Sequence, residues 1–356
     1  MKTLIDELIK THVLPRDAFK TLLTGMTPDD RRYLTQKAQE VRRAVYGNDV
    51  YIRGLIEFTN YCKNDCLYCG IRRSNRNADR YRLTKEQILD CCRQGYALGF
   101  RTFVLQGGED PFFDDEKIAA IVRAIKAEFP DCAVTLSIGE KSFESYQAFF
   151  KAGADRYLLR HETANSAHYQ QLHPPQLSLE NRMRCLRDLK SIGYQTGCGF
   201  MVGSPFQTTD TIIDDLLFLH DFQPEMVGIG PFIPHKNTPF RDRPAGTLQM
   251  TLTLLSIIRL ILPRVLLPAT TALGTIDPTG REQGILAGAN VVMPNLSPQN
   301  VRSKYLLYND KICTGDEAAE SLSHLKQQME GIGYRIVESR GDFKKGSNEV
   351  CMTSIQ

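Results

Sequence analysis

Cys62-Lys-Asn-Asp-Cys66-Leu-Tyr-Cys69-Gly70 places three thiols at C-x3-C-x2-C spacing. No regular helix or strand presents all three on one face, so the stretch is a loop. Thiolates crowded on a loop suit a metal ion or an iron–sulfur cluster. A closed structural zinc site asks for four protein ligands, commonly as two separated pairs, and no partner pair lies nearby. Three thiolates on a four-iron cubane leave one iron without a protein ligand, open to a small molecule. Cys62, Cys66 and Cys69 are therefore the candidate ligands and the candidate catalytic centre. Cys91, Cys92, Cys132 and Cys185 read instead as small buried hydrophobes.

The chain on either side of this loop decides the fold. Val50–Thr59, just upstream, reads as a strand, and Thr84-Lys-Glu-Gln87, downstream, has the capping-box spacing that opens a helix over Thr84–Leu98. The alternation then repeats. Strands are predicted at Arg101–Gln106, Ala133–Ser137, Arg156–Arg160, Gln195–Val202, Met226–Ile229, Arg264–Pro268 and Asn290–Met293. Helices are predicted between them, at Glu116–Phe129, Ser142–Lys151, Leu179–Ile192, Thr209–Phe222, Thr247–Leu262 and Arg281–Ala287. Eight such repeats over about 250 residues predict an α/β fold, a closed (β/α)8 barrel of the TIM type. The barrel is expected over residues 47–300. Residues 1–46 read as a helical extension packed on it, with Thr27-Pro28-Asp29-Asp30 starting one helix. Residues 301–356 read as a short helical segment around Ala318–Met329 and a frayed polar tail.

Chemistry in such a barrel gathers at the C-terminal ends of the strands. The cysteine loop follows strand one, Gly107-Gly108-Glu109-Asp110 strand two, and Ser137-Ile-Gly139-Glu140 strand three. Arg160-His161-Glu162-Thr163 follows strand four, Pro231 to His235 strand six, and Ala269-Thr270-Thr271 strand seven. Arg156 and Arg160 alternate onto the same side of their strand, and a buried arginine needs an anionic ligand or an acid such as Glu162. His161 faces the other side and reads as structural. His235 is either a ligand or proton donor, or a histidine satisfying a loop carbonyl. Met226 is core filler by residue type.

Composition narrows the classes. Charged residues make up 24% and hydrophobic ones 42%, and the net charge is +3, which gives no electrostatic case for nucleic acid. The N-terminal stretch alternates as an amphipathic helix and lacks the features of a signal peptide. Leu252 to Pro268, the most apolar run, is broken by Arg259, Pro263 and Arg264, so no membrane span is expected. Ten cysteines without an export signal point to a reducing, cytoplasmic setting.

The cysteine triplet with Tyr68 before its last member, followed one strand later by Gly107-Gly108-Glu109, resembles the radical S-adenosylmethionine (SAM) superfamily. Further stretches resemble its HydE family of FeFe-hydrogenase maturases over nearly the whole chain. They are Arg72-Arg-Ser-Asn75, Gln106 to Pro111, Leu159 to Asn165, Met226 to His235, Pro268 to Thr275 and Gly288 to Asn295. The resemblance implies one 4Fe–4S cluster on the three cysteines, and SAM cleaved reductively to a 5′-deoxyadenosyl radical. It implies that Glu109 holds the methionine amino group and that Glu162 and Arg182 hold the ribose and the methionine carboxylate. Tyr68, Gln106, Ser137, Met293 and Tyr305 would line the SAM site. Arg53, Arg156, Arg160, Met226, Thr270 and Thr271 would face a substrate cavity inside the barrel. It further implies a cysteine-bound iron carbonyl-cyanide substrate on the way to the diiron subsite of the H-cluster. A flavodoxin or ferredoxin reductant, and the HydF scaffold and HydG as other maturation partners, come with it.

Some relatives in that family carry a second cluster on C-x7-C-x2-C near the C-terminus. Here Cys313 is followed by Ser321 and His324 at the matching positions, so no second cluster is expected. Two related enzymes compete. A methylornithine synthase shares the Arg-Arg-Ser-Asn stretch, and a biotin synthase would need cysteines on several strands, where Arg101–Gln106 has none. A cluster carrier or electron-transfer module would not need Glu109, Glu162 and Arg182 around a barrel mouth.

Overall fold

The computed structural model describes residues 1–312 and 318–345. Eleven strands occur among them: β1 (Asp49–Ile52), β2 (Gly54–Thr59), β3 (Thr102–Gly107), β4 (Ala133–Ser137), β5 (Arg156–Leu158), β6 (Gln195–Cys198), β7 (Met201–Val202), β8 (Met226–Val227), β9 (Gly230–Pro231), β10 (Val291–Val292) and β11 (Arg335–Val337). Six of them form one parallel sheet in the order β2-β3-β4-β5-β6-β8. Single bridges carry the circle onward, Met226 to Leu266 and Pro268 to Val291, and β10 then pairs with β1. A bridge between Leu55 and Asn295 returns it to β2, so the parallel barrel closes as the repeats predict. The stave expected at Arg264–Pro268 is reduced to two isolated bridges, at Leu266 and Pro268. Pro268 has no N–H to donate, which limits any longer ladder there.

Helices follow the strands as the periodicity predicts. Leu179–Ile192 and Thr209–Phe222 match the expected limits. Thr84 closes the expected capping box with Gln87, the two hydrogen bonds measuring 3.2 and 2.9 Å. Residues 1–46 supply three helices, Lys2–Thr11, Arg16–Gly25 and Pro28–Tyr46. The third buries Leu34 and Ala38, and the Thr27 and Asp30 capping box opens it. Burying Leu34 contributes about 1.5–3 kcal/mol. No helix among the described residues is long and apolar enough to cross a membrane.

The last described segment is not a frayed tail. After the helix Ala318–Gly331 the chain forms β11, parallel to β1, and then runs beneath the barrel. Asp342 accepts there from the Arg156 guanidinium at 2.6 Å and from Gln195 at 3.0 Å. Arg340 donates to Asp342 and to Asp155, each at 2.8 Å. Burial would raise the Asp342 carboxyl, but the Arg340 hydrogen bond and the Arg156 charge hold it well below the usual carboxylate range. A depressed carboxyl adds stability that is complete above its unfolded value of about 3.9 and lost as the pH falls below it. Asp342→Asn should therefore lower the unfolding free energy by about 2 kcal/mol at neutral pH. Urea melts at pH 7 and pH 3.5 check this, because the difference between wild type and variant should shrink at the lower pH.

Candidate active site

A cavity of about 370 Å³ opens at the C-terminal ends of the strands, and Cys62, Cys66 and Cys69 all line it. Main-chain bonds lash their loop to neighbouring segments of the mouth. Lys63 N–H reaches Glu109 O at 2.8 Å, Leu67 N–H reaches Leu172 O at 3.0 Å, and Gly70 N–H reaches Leu307 O at 2.8 Å. Asp65 accepts from Arg72 and Ser74, folding residues 72–74 back onto the loop. Burial raises the pKa of all three thiols, Cys69 to about 12, and thiolate charge adds to this at Cys66 and Cys69, as the Glu109 charge does at Cys62. Thiols that repel one another as anions are those a cationic group would relieve. Among the described residues, no three His, Cys, Asp or Glu side chains are arranged to hold one metal ion. Three thiols on one cavity are one short of the four protein ligands of a closed zinc site.

β3 delivers the next element. It ends at Gly107, and Gly108 N–H bonds Thr59 O at 3.2 Å, drawing the turn against the cysteine loop. A Cβ on Gly108 would strike the Tyr61 carbonyl and stand 2.8 Å from Cys62 Cβ, so glycine lets the two loops touch. Glu109 is buried beside them. Its Oε1 accepts from Glu140 N–H at 3.0 Å and its Oε2 lies 3.3 Å from Lys63 Nζ. Gly139 sits behind it at φ 80°, where a Cβ would run into the Glu109 side chain. Gly139→Ala combines about 1–2 kcal/mol of left-handed strain with that collision. It should lower the unfolding free energy by at least about 1 kcal/mol, measured by urea melts of the metal-free protein.

The opposite wall comes from the end of β5. Arg160 lines the cavity with Nη2 3.2 Å from Glu162 Oε2, and its Nε has no hydrogen bond. Glu162 adopts φ 66° and its N–H bonds Gly199 O at 3.0 Å. His161 stabilises that turn from behind. Its Nδ1 accepts from Gly199 N–H at 3.2 Å, so Nε2 carries the proton and donates to Asp215 at 3.2 Å. Burial pushes its pKa down to about 3, so the ring stays neutral and structural, as its side of the strand implies.

Arg182, in the first turn of Leu179–Ile192, reaches the same cavity. Its Nε donates to Glu140 at 2.5 Å and its Nη1 to Arg160 O at 2.6 Å. Asn181 donates to the other Glu140 oxygen at 2.6 Å. Buried atoms that make no hydrogen bond include Thr270 Oγ1 and Arg160 Nε. Orphaned polar atoms beside three thiols fit a cluster together with a polar ligand.

Tyr68, Gln106, Ser137, Met293, Tyr305, Thr270 and Thr271 also line the cavity. Gln106 donates to the Tyr305 hydroxyl at 3.4 Å, and Tyr68 meets His173 at 3.2 Å. Arg53, Arg156 and Met226 do not line it, which corrects the sequence expectation. Each lies two residues before a lining residue, namely Leu55, Leu158 and Gly228, and so one layer deeper towards the floor. Arg156 is fully buried and engaged with Asp342, Thr102 and Gln195. Arg53 donates to Met226 Sδ at 3.0 Å. His235 accepts from Asn237 N–H at 3.1 Å and supports its own loop. Cys313 lies outside the described residues, and His324 is exposed on its helix.

Two lining residues escape sequence reasoning. Glu57 and Lys311 form a buried ion pair at the cavity wall, with Asn295 Nδ2 on the second Glu57 oxygen at 2.9 Å. Glu57 carried a signal, an acid within the buried strand Gly54–Thr59, whereas Lys311 sits in a polar stretch without one.

Residues 56–219 match the model of the radical SAM superfamily. The chain is 45% identical over 339 residues to the FeFe-hydrogenase maturase subunit HydE of Thermotoga maritima, covering 95% of this chain and 97% of that one. It is 30% identical to the 3-methylornithine synthase of Methanosarcina barkeri over 95% of each chain. The crystal structure of methylornithine synthase (PylB) superposes with a TM-score of 0.83 at 27% identity, covering 94% of this chain and 97% of that one. With the cysteine loop and the Gly-Gly-Glu turn on one cavity wall, these likenesses place the chain in the radical SAM superfamily and, within it, in the HydE family of FeFe-hydrogenase maturases.

Proposed function

We propose that the chain holds one 4Fe–4S cluster on Cys62, Cys66 and Cys69, binds SAM beside it, and acts on a small anionic iron complex in building the diiron subsite of FeFe-hydrogenase. The observation that carries this reading is the meeting, in one cavity, of the three thiols with Glu109, Glu162 and Arg182. Held by Cys62, Cys66 and Cys69, a 4Fe–4S cluster would supply the electron for reductive cleavage of SAM to methionine and a 5′-deoxyadenosyl radical. The protein's own contribution is placement. Glu109 meets the ammonium of the methionine part, and Arg182, steadied by Glu140, presents its guanidinium to the carboxylate. Glu162, which lines the cavity, would accept from the ribose hydroxyls. Gln106, Ser137, Met293 and Tyr305 close around the nucleoside and keep water from the radical. Arg160 with Thr270 and Thr271 forms the anion-accepting part of the cavity. The substrate in this reading is a cysteine-bound iron carbonyl-cyanide unit. Its partners are the other maturases, including a HydF-type scaffold and HydG, in a reducing cytoplasm.

The fold likeness to methylornithine synthase keeps a second reading, an isomerase acting on lysine. Anaerobic reconstitution followed by dithionite and SAM tests the shared chemistry, with 5′-deoxyadenosine as the expected product and about four irons per chain. About eight irons would overturn the single-cluster reading. Supplying the iron–cysteine complex in one arm and lysine in another separates the substrates. Methylornithine in the lysine arm would overturn the maturase reading.

A further inference from the structure

Arg73, Arg76, Lys236, Arg241 and Arg243, at the barrel mouth, do not line the cavity. Residues 72–77 fold back along the cysteine loop, with Arg73 N–H on Asn64 O at 2.8 Å. Asn77 reaches across to Asn237 at 3.3 Å, joining this segment to the loop that follows β9. On that loop Lys236, Arg241 and Arg243 are exposed, and Arg73 and Arg76 are exposed beside the cysteines. With Arg72 this makes six cations. Carboxylates stand there too: Asp65 is held by Arg72, Asp242 lies beside Arg241, Asp79 pairs with Lys304, and exposed Asp310 follows Asn309, which accepts from Lys236 N–H. With Lys304 the face has seven cations against four carboxylates, an excess of three on one face of a chain whose net charge is +3. Among the described residues, Arg73, Arg76, Lys236 and Arg243 form no ion pair, so their charge is open to a partner.

At the edge of this surface stands Phe206, 46% exposed, at φ 67°. A bulky residue in the left-handed region is a strained choice for a solvent-facing turn. Its ring packs edge-on to Phe240 at 6.1 Å, and the Arg243 guanidinium covers it at 4.9 Å. An exposed aromatic ring with arginine around it is the composition of a protein-binding hot spot.

We propose that this surface docks an acidic one-electron carrier protein, which delivers the electron to the cluster across the cysteine loop. The inference rests on the functional reading above, in which the cluster must be reduced from outside. The step moves one electron, oxidising the carrier by one and reducing the cluster by one, with no bond made or broken. An acidic carrier suits the surface because complementary charge speeds and orients encounter. Docking here brings it against Asn64 and Arg73, next to the thiols.

The test uses the full reconstituted chain, a purified acidic flavodoxin as probe, and the triple variant Arg76→Glu, Lys236→Glu and Arg243→Glu. None of these side chains supports the fold through an ion pair. A control of equal charge change, Lys2→Glu, Lys10→Glu and Arg32→Glu, lies on the N-terminal helices. Wild type and control should bind oxidised flavodoxin by calorimetry, more weakly as salt rises. The patch variant should bind at least about tenfold more weakly. Reduced flavodoxin should then generate the cluster's paramagnetic signal in wild type and control but only slowly in the patch variant, while dithionite reduces all three alike. Equal binding by patch variant and control, or no binding by wild type, would overturn the docking surface. A wild-type protein that dithionite reduces without SAM cleavage, even with the iron complex present, would overturn the functional reading and leave the binding result to decide the surface separately.

Discussion

Cys66→Ala should give a folded barrel that retains no stable four-iron cluster and forms no detectable 5′-deoxyadenosine. The expected fall in SAM cleavage is at least about 10³-fold, because the missing ligand removes the reaction's electron source rather than slowing one step. Stability of the metal-free protein should change by less than about 1 kcal/mol, since the loop is anchored elsewhere. Lys63, Leu67 and Gly70 bond other segments through the backbone, and none of those bonds uses the Cys66 thiol. The readouts are iron content, the visible absorption of the reconstituted protein, and chromatography of SAM products. A Cys66→Ala protein that keeps four irons and cleaves SAM would remove this loop from the centre of the chemistry.

Arg182→Ala has the second largest expected effect, and it acts on two quantities that can be separated. The guanidinium is the charged partner of Glu140, whose side chain is only 9% exposed. Removing it leaves a buried carboxylate with only the Asn181 amide, at a cost of about 3–5 kcal/mol. Arg182→Lys keeps the charge but loses the fork that bonds Glu140 and the Arg160 carbonyl together. Its stability loss should be smaller, while SAM binding still weakens about tenfold. Urea melts of the metal-free variants and dialysis with SAM measure the two effects. Unchanged SAM binding in a folded Arg182→Lys protein would reduce the arginine to a structural tie.

The barrel and its mouth were legible because both are written in local patterns. Strand–helix alternation predicts the staves, the Thr84 box marks a helix start, and C-x3-C-x2-C lies within one loop. Alternation along a strand gives the side a residue faces but not its depth. Arg156 and Arg160 do share a side of their strand, yet one ends at the floor and the other at the mouth. The partners of such residues are remote in sequence. Lys311 meets Glu57 across 254 positions, and nothing near either residue announces the other. β11 is three residues long, too short to show a period, and its pairing follows from the open edge of β1 rather than from its own composition.

The strap beneath the barrel sets an order of synthesis. Arg156 and Asp342 are 186 residues apart, so a ribosome working at about 5–20 residues per second makes the arginine roughly 10–40 s before its counter-ion. During that interval a nascent barrel has an uncompensated guanidinium where its floor should close, and β1 has an open edge where β11 belongs. The Arg156–Asp342 pair and the β1–β11 pairing form only once residues 335–342 have left the exit tunnel. Until then the floor of the barrel lacks the strap that covers Arg156 in the finished fold.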